Sequence, residues 1–226
     1  MLVAARTNRT RMFRFGRRRH ANSATPGSPD HLCRTSRGPP RATPVSAADP
    51  VRILHAPSDR GIKGTRYVLA AVERLKAAGY PVELLLLEGV PHDRLAEFCD
   101  QADIAIDQLM IGAYGTVSIE MMAKGVPVVC RIREDLRQHY PSDLPVLSAG
   151  PEEIFDVLER LLRTPESWPE IGGRGVEYVR REHEMHQVAR RILELYGLDP
   201  ALIPAAPDAR VLAETPGPAV TTGPLG

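Results

Sequence analysis

The stretch Asp103-Ile-Ala-Ile-Asp-Gln-Leu-Met-Ile-Gly-Ala-Tyr-Gly-Thr-Val-Ser-Ile-Glu-Met-Met-Ala-Lys-Gly-Val-Pro-Val-Val-Cys130 holds two short apolar strands with one helix between them. Asp103 to Asp107 is an apolar run bounded by carboxylates. A loop with Gly112 and Gly115 follows it, then a helix from about Thr116 to Lys124, stopped by Gly125. Val126-Pro-Val-Val-Cys130 begins at once as the next strand. Strands joined through a helix run parallel, and apolar strands without alternation are the kind buried on both faces.

The same alternation continues in both directions. Upstream, Val51-Arg-Ile-Leu-His-Ala56 reads as a strand that ends in the polar loop Pro57 to Lys63. Thr65 to Ala78 places Val68, Leu69, Val72 and Leu75 at helical spacing, with Gly79 as the stop. Val82 to Leu87 is another buried strand, and a helix from about Asp93 to Gln101 leads to Asp103. Downstream, Leu144 to Ser148 supplies a fifth strand, and helical patterns cover 151–163, 167–181 and 184–196. The expected fold is therefore α/β, a parallel sheet with helices on both faces, over residues 51–197. No internal repeat is visible.

The flanks have a different character. Residues 1–50 carry ten arginines against two aspartates, a balance of +8, whereas the whole chain is +1. Thr25-Pro-Gly-Ser-Pro29 and Gly38-Pro-Pro-Arg41 show no helical or strand period, so this segment is expected to be a disordered Arg/Pro-rich extension. A transit peptide, a basic nucleic-acid arm and translated sequence upstream of the true reading frame are its other readings. Residues 198–226 are expected to be a Pro/Gly-rich disordered tail.

The part after residue 50 is then net acidic, which argues against nucleic acid as a partner. Cys33, Cys99 and Cys130 form no CxxC pair, as in a reduced, cytoplasmic protein. No apolar run approaches the length of a membrane span. His183 and His186 have helical spacing, but HExxH is not matched and no metal ligand set is expected.

In open parallel sheets the ligand sits beyond the carboxyl ends of the strands. The loop after Ala56 carries Ser58, Arg60, Lys63, Gly64 and the hydroxyl of Thr65 at a helix start. Backbone N–H groups and the helix dipole favour an anion there, and two cations strengthen the attraction. A solvated loop with a capping Ser or Thr is the plainer reading. The loop after Ile106 carries Asp107, Gln108, Gly112, Tyr114, Gly115 and Thr116, and its two glycines permit close approach to a phosphate. Glu120 falls one turn into the following helix, where a carboxylate can accept hydrogen bonds from a ribose diol or remain a surface glutamate.

Taken together, Gly112 to Val129 resembles the signature helix and strand of family 4 glycosyltransferases of the GT-B fold. The Arg60, Lys63-Gly64 loop is similar to that family's diphosphate clamp. Gln101-Ala-Asp103 and the closing Val188-Ala-Arg-Arg-Ile-Leu-Glu-Leu-Tyr196 fit the same order, so the resemblance covers residues 51–197. It implies a Rossmann-like donor-binding domain, the C-terminal half of a GT-B fold. It also implies a retaining transfer from a nucleoside-diphosphate sugar, with no bound metal or cofactor. Arg60 and Lys63 would neutralise the diphosphate leaving group, Gly115 and Thr116 would offer N–H groups to phosphate, and Glu120 would hold the ribose.

The match departs in its signature turn, in the closer spacing of Arg60 and Lys63 and in the short stretch from Leu87 to Asp103. The family's first glutamate is Gly112 here and the first glycine of its turn is Ala113. Asp107 or Gln108 is the candidate to take over contact with the donor sugar. Glu88 to His92 would line the side that holds the base. The acceptor lobe of the GT-B fold has no counterpart in residues 1–50, so the sequence implies a separate acceptor-lobe protein, self-association or a truncated gene product. A non-catalytic nucleotide-sugar-binding module and another nucleotide-binding α/β protein are the competing readings.

Overall fold

The computed structural model describes residues 10–14, 49–90 and 92–203; no side chain of 10–14, 92, 93 or 96 enters the description. The described chain divides into two compact units, one ending at Arg181 and one beginning at Glu182.

The first unit is built on a six-stranded sheet in the order β1-β3-β2-β4-β5-β6. The strands are β1 (Thr10–Arg14), β2 (Val51–His55), β3 (Val82–Glu88), β4 (Ile104–Ile106), β5 (Val128–Cys130) and β6 (Leu147–Ser148). Every pairing is parallel. Register follows the apolar pattern: Ile53 lies opposite Leu84 on one side and Ile104 on the other. Strand order reverses at β2, between β3 and β4, and this reversal opens the crevice beyond the strand ends.

The helices are α1 (Arg60–Lys63), α2 (Thr65–Ala77), α3 (His92–Cys99), α4 (Thr116–Ala123), α5 (Glu134–Arg137), α6 (Ile154–Arg163) and α7 (Trp168–Glu182). Two apolar layers sandwich the sheet. On one face, Val68, Val72 and Leu75 of α2 and Leu158 and Leu161 of α6 pack on Ile53, Leu84, Ile106 and Val129. On the other, Met121 and Met122 of α4, Cys99 of α3 and Tyr178 of α7 pack on Leu54, Ala105, Val128 and Cys130. The alternation of Val128, Val129 and Cys130 between the two layers is the period of a strand.

Close packing is sharpest where α7 meets the turn after α4. A side chain at Gly172 would collide with the carbonyl oxygen of Gly125, and one at Gly175 would press on Met122. Gly125 itself has φ 69°, the left-handed turn that ends a helix.

Differences from the expected elements have local causes. The fourth strand starts at Val128 rather than Val126 because Pro127 has no N–H; its carbonyl accepts from Ala105 N at 3.0 Å. The fifth pairs only through Leu147 and Ser148. β1 has no antecedent in the sequence pattern: Thr10–Arg14 lies in a segment without periodicity, yet it pairs with β3 from Leu84 to Glu88. The rest of the expected N-terminal extension, residues 1–9 and 15–48, lies outside the described residues, as does 204–226 of the expected tail.

The second unit holds α8 (Met185–Leu195) and a 3-10 turn at Pro200–Leu202. The Glu184 carboxylate caps α8 by accepting from His186 N and Gln187 N. Residues 198–203, expected in the tail, are ordered around the Arg190 guanidinium, which donates to the carbonyl of Ile203 at 3.1 Å.

Candidate functional site

The loop after β2 begins with Asp59, which accepts from Ile62 N at 2.8 Å and caps α1. The capping residue is thus Asp59; Ser58 is exposed beside it. Gly64 then turns the chain with φ 72°, ending α1 and starting α2. A side chain there would be 3.0 Å from Leu109 Cβ, so glycine is required both for its conformation and for the close approach of the two loops. Lys63 O accepts from Leu109 N at 3.3 Å across the same contact.

The Lys63 ammonium points inward. It donates to Asp107 Oδ1 at 2.6 Å and to Gln108 Oε1 at 3.0 Å, with 12% of its side chain exposed. Asp107 is buried, and its other oxygen accepts from Gly115 N at 2.8 Å and Ser118 Oγ at 2.7 Å. Two of the groups at the start of α4, Gly115 N and Ser118 Oγ, therefore face a carboxylate of the chain itself. Asp107 is turned away from solvent, which bears on the expectation that it would meet a sugar. Gln108 is buried too and donates through Nε2 to the carbonyl of Ala113, bracing the turn from below.

Arg60 stands at the rim. Its guanidinium makes a forked pair with Glu88 at the end of β3, at 2.5 and 2.8 Å, and this pairing holds its pKa above the usual value. Tyr114 packs inward: its ring lies 5.0 Å from that of Tyr140, and its hydroxyl is 3.2 Å from Tyr178 Oη. Thr116 is exposed at the first position of α4, where no side chain caps the N-terminus. Glu120 is half-buried one turn further along.

Gly112, in place of the glutamate that the resemblance would put there, has φ 90°. A side chain at that position would run into the stem of Arg133, whose N–H donates to Gly112 O at 2.8 Å. The space is occupied, and the backbone excludes a glutamate on both counts.

His55 is a part of the site that the sequence pattern did not mark. Its ring is 1% exposed at the end of β2. Nδ1 lies 3.0 Å from the carbonyl of Ile106, which can only accept, so Nδ1 carries the proton. Nε2 then accepts from the Thr65 hydroxyl at 3.0 Å. Burial drives the pKa of His55 down to about 4, so the ring is neutral at pH 7. The Thr65 hydroxyl, expected to face an anion, is spent on this bond and pins the start of α2 to two strands. Its only sequence signal was a polar residue closing an apolar strand.

A family model described as "Glycosyl transferase-like" matches residues 53–194. The chain belongs to that family. The glycosyl transferase-like domain also has relatives among solved structures. HepE from Anabaena, crystallised with UDP-glucose, is 12% identical with a TM-score of 0.51, over 66% of this chain and 49% of that one. Sucrose-phosphate synthase from Thermosynechococcus elongatus is 19% identical with a TM-score of 0.51, over 68% and 46%. TarM is 13% identical with a TM-score of 0.51, over 67% and 36%. At these identities the likeness is one of fold, a Rossmann-like domain of the GT-B type. The chain spans about half the length of HepE. A comparison with curated proteins found no match. Among the described residues no helix is long and apolar enough to cross a membrane, and no three His, Cys, Asp or Glu side chains gather as a metal site would need.

Proposed function

We propose that this chain is the donor-binding lobe of a glycosyltransferase, holding a nucleoside-diphosphate sugar in the crevice between the ends of β2 and β4. The observation that carries the reading is the meeting there of two helix starts, Gly64–Thr65 and Gly115–Thr116, with Lys63 between them. First-turn N–H groups of α2 and α4 provide fixed dipoles for a leaving diphosphate, where negative charge grows as the sugar–phosphate bond breaks. In this reading Glu120 accepts from a ribose diol, and the fold that the chain shares with HepE, solved with UDP-glucose, supports a donor of that class.

An acceptor lobe comes from elsewhere, as a separate protein or further chain, or as a second copy by self-association. The protein works in the cytoplasm, a reading supported by two buried cysteines, Cys99 and Cys130, neither of them in a disulfide among the described residues.

A second reading, a non-catalytic nucleotide-sugar-binding module, draws on Gly112 and on the carboxylates already paired with Arg60 and Lys63. Turnover separates the two. The full chain incubated with UDP-glucose, GDP-mannose or ADP-glucose should release the nucleoside diphosphate slowly, with water as the acceptor. Binding without any release would favour the module.

A further inference from the structure

The cations at the strand ends are not equally available to a ligand. Arg60 is held by Glu88, Lys63 by Asp107 and Gln108, and Arg133 by Asp135. Arg137 is spent on the carbonyls of Pro141 and Ser142. Arg131 is different: it is half-buried, and its side chain has no ion pair or hydrogen bond among the described residues.

Its position is fixed by backbone. Arg131 follows Cys130 at the end of β5, and its N–H donates to Gln108 O at 2.9 Å, next to the residue that holds Lys63. Val129 belongs to the apolar layer under α2 and α6, while Cys130 and Ile132 belong to the opposite layer. By alternation the Arg131 side chain leaves on the face of α2. β5 and β2 are separated only by β4, so their ends stand about 10 Å apart. An arginine side chain leaning over β4 covers much of that distance, toward the Gly64–Thr65 turn.

We propose that Arg131 is the cation that meets the diphosphate of the donor, and that Lys63 acts instead as a positioning residue locked to Asp107. This rests on the donor-site reading and moves its principal charge from the loop after β2 to the loop after β5. The energetic reason is the cost of release. Pulling Lys63 off Asp107 would leave a buried carboxylate without its counter-ion, whereas Arg131 has no carboxylate to give up. Its planar guanidinium also suits two phosphate oxygens at once.

The experiment is calorimetric titration of the full chain with inorganic pyrophosphate and with UDP, GDP and ADP, repeated on Arg131→Gln and Arg131→Lys. Arg131→Gln should lose about tenfold or more in affinity for both pyrophosphate and the preferred nucleotide, with an unchanged thermal midpoint. Arg131→Lys should recover part of the loss. Pyrophosphate binding that disappears in Arg131→Gln, with no nucleotide bound by the unaltered chain, would support the assignment of Arg131 while defeating the donor-site reading. Nucleotide binding that survives Arg131→Gln at full strength would overturn the assignment alone. Failure of the unaltered chain to bind any of the four would overturn both.

Discussion

The ammonium of Lys63 lies 2.6 Å from the carboxylate of Asp107, and the pair sits where the strand order of the sheet reverses. It joins the loop after β2 to the loop after β4 and, through Gly115 N and Ser118 Oγ, to the start of α4. An interaction that could have belonged to a ligand is instead part of how the crevice is built.

Removing one member of that pair should be expensive. Lys63→Ala leaves a fully buried carboxylate with two neutral donors and no counter-charge, and should cost about 3–5 kcal/mol in urea unfolding. Adding Asp107→Asn should return a good part of that loss, because the amide still accepts from Gly115 and Ser118. Equal losses in the single and double variants would show that the pair is not coupled.

His55 sets a pH dependence. Its pKa is about 4 in the folded protein against 6.5 for an ordinary histidine. Between those values the unfolded chain binds the proton and the folded one does not, so stability rises with pH there. The contribution is complete above pH 6.5 and falls away as the pH drops toward 4, by about 3 kcal/mol in all. Urea midpoints at pH 7, 5.5 and 4 should show that decline, and His55→Gln should flatten it. An identical slope in the variant would assign the effect to other groups.

The same residues show what a sequence reading can and cannot reach. β2 to β5 and the helices α2, α3 and α4 were legible because apolar runs and glycine stops are local signals, and burial on both faces enforces them; α1 was read as part of a polar loop. Gly64 and Gly115 were legible for the same reason. The directions of Lys63, Asp107 and Thr65 were not, because each is settled by a partner 10 to 44 positions away. His55 gave no periodic signal at all. β1 was invisible since Thr10–Arg14 has no apolar alternation, and an edge strand takes its order from its neighbour's backbone.

Adjacent glycines in α7 should behave oppositely. Gly172→Ala forces a methyl group into the backbone of Gly125 and should destabilise the fold by about 1–3 kcal/mol. Gly173→Ala meets nothing within 4 Å and should gain roughly 0.5–1 kcal/mol from lower unfolded-state entropy. Thermal melts of the two variants check the contrast, and similar midpoints would contradict the packing described at that turn.

Two thiols should be inert in the folded protein. Cys130 is buried, which pushes its pKa up to about 12, and Cys99 is 1% exposed. Iodoacetamide at pH 8 should leave both unmodified until denaturant is added, as read by peptide mass mapping. Rapid alkylation of Cys130 in the native state would mean that the strand end it closes is open.

The central claim is that the crevice between β2 and β4 receives a nucleoside diphosphate. The most direct measurement follows backbone amide resonances of the full chain during titration with UDP, GDP and ADP. The account predicts that one nucleotide shifts Gly64, Thr65, Thr116, Val117 and Arg131 together and in a saturable way. No shift with any nucleotide, or shifts confined to residues 182–203, would contradict it.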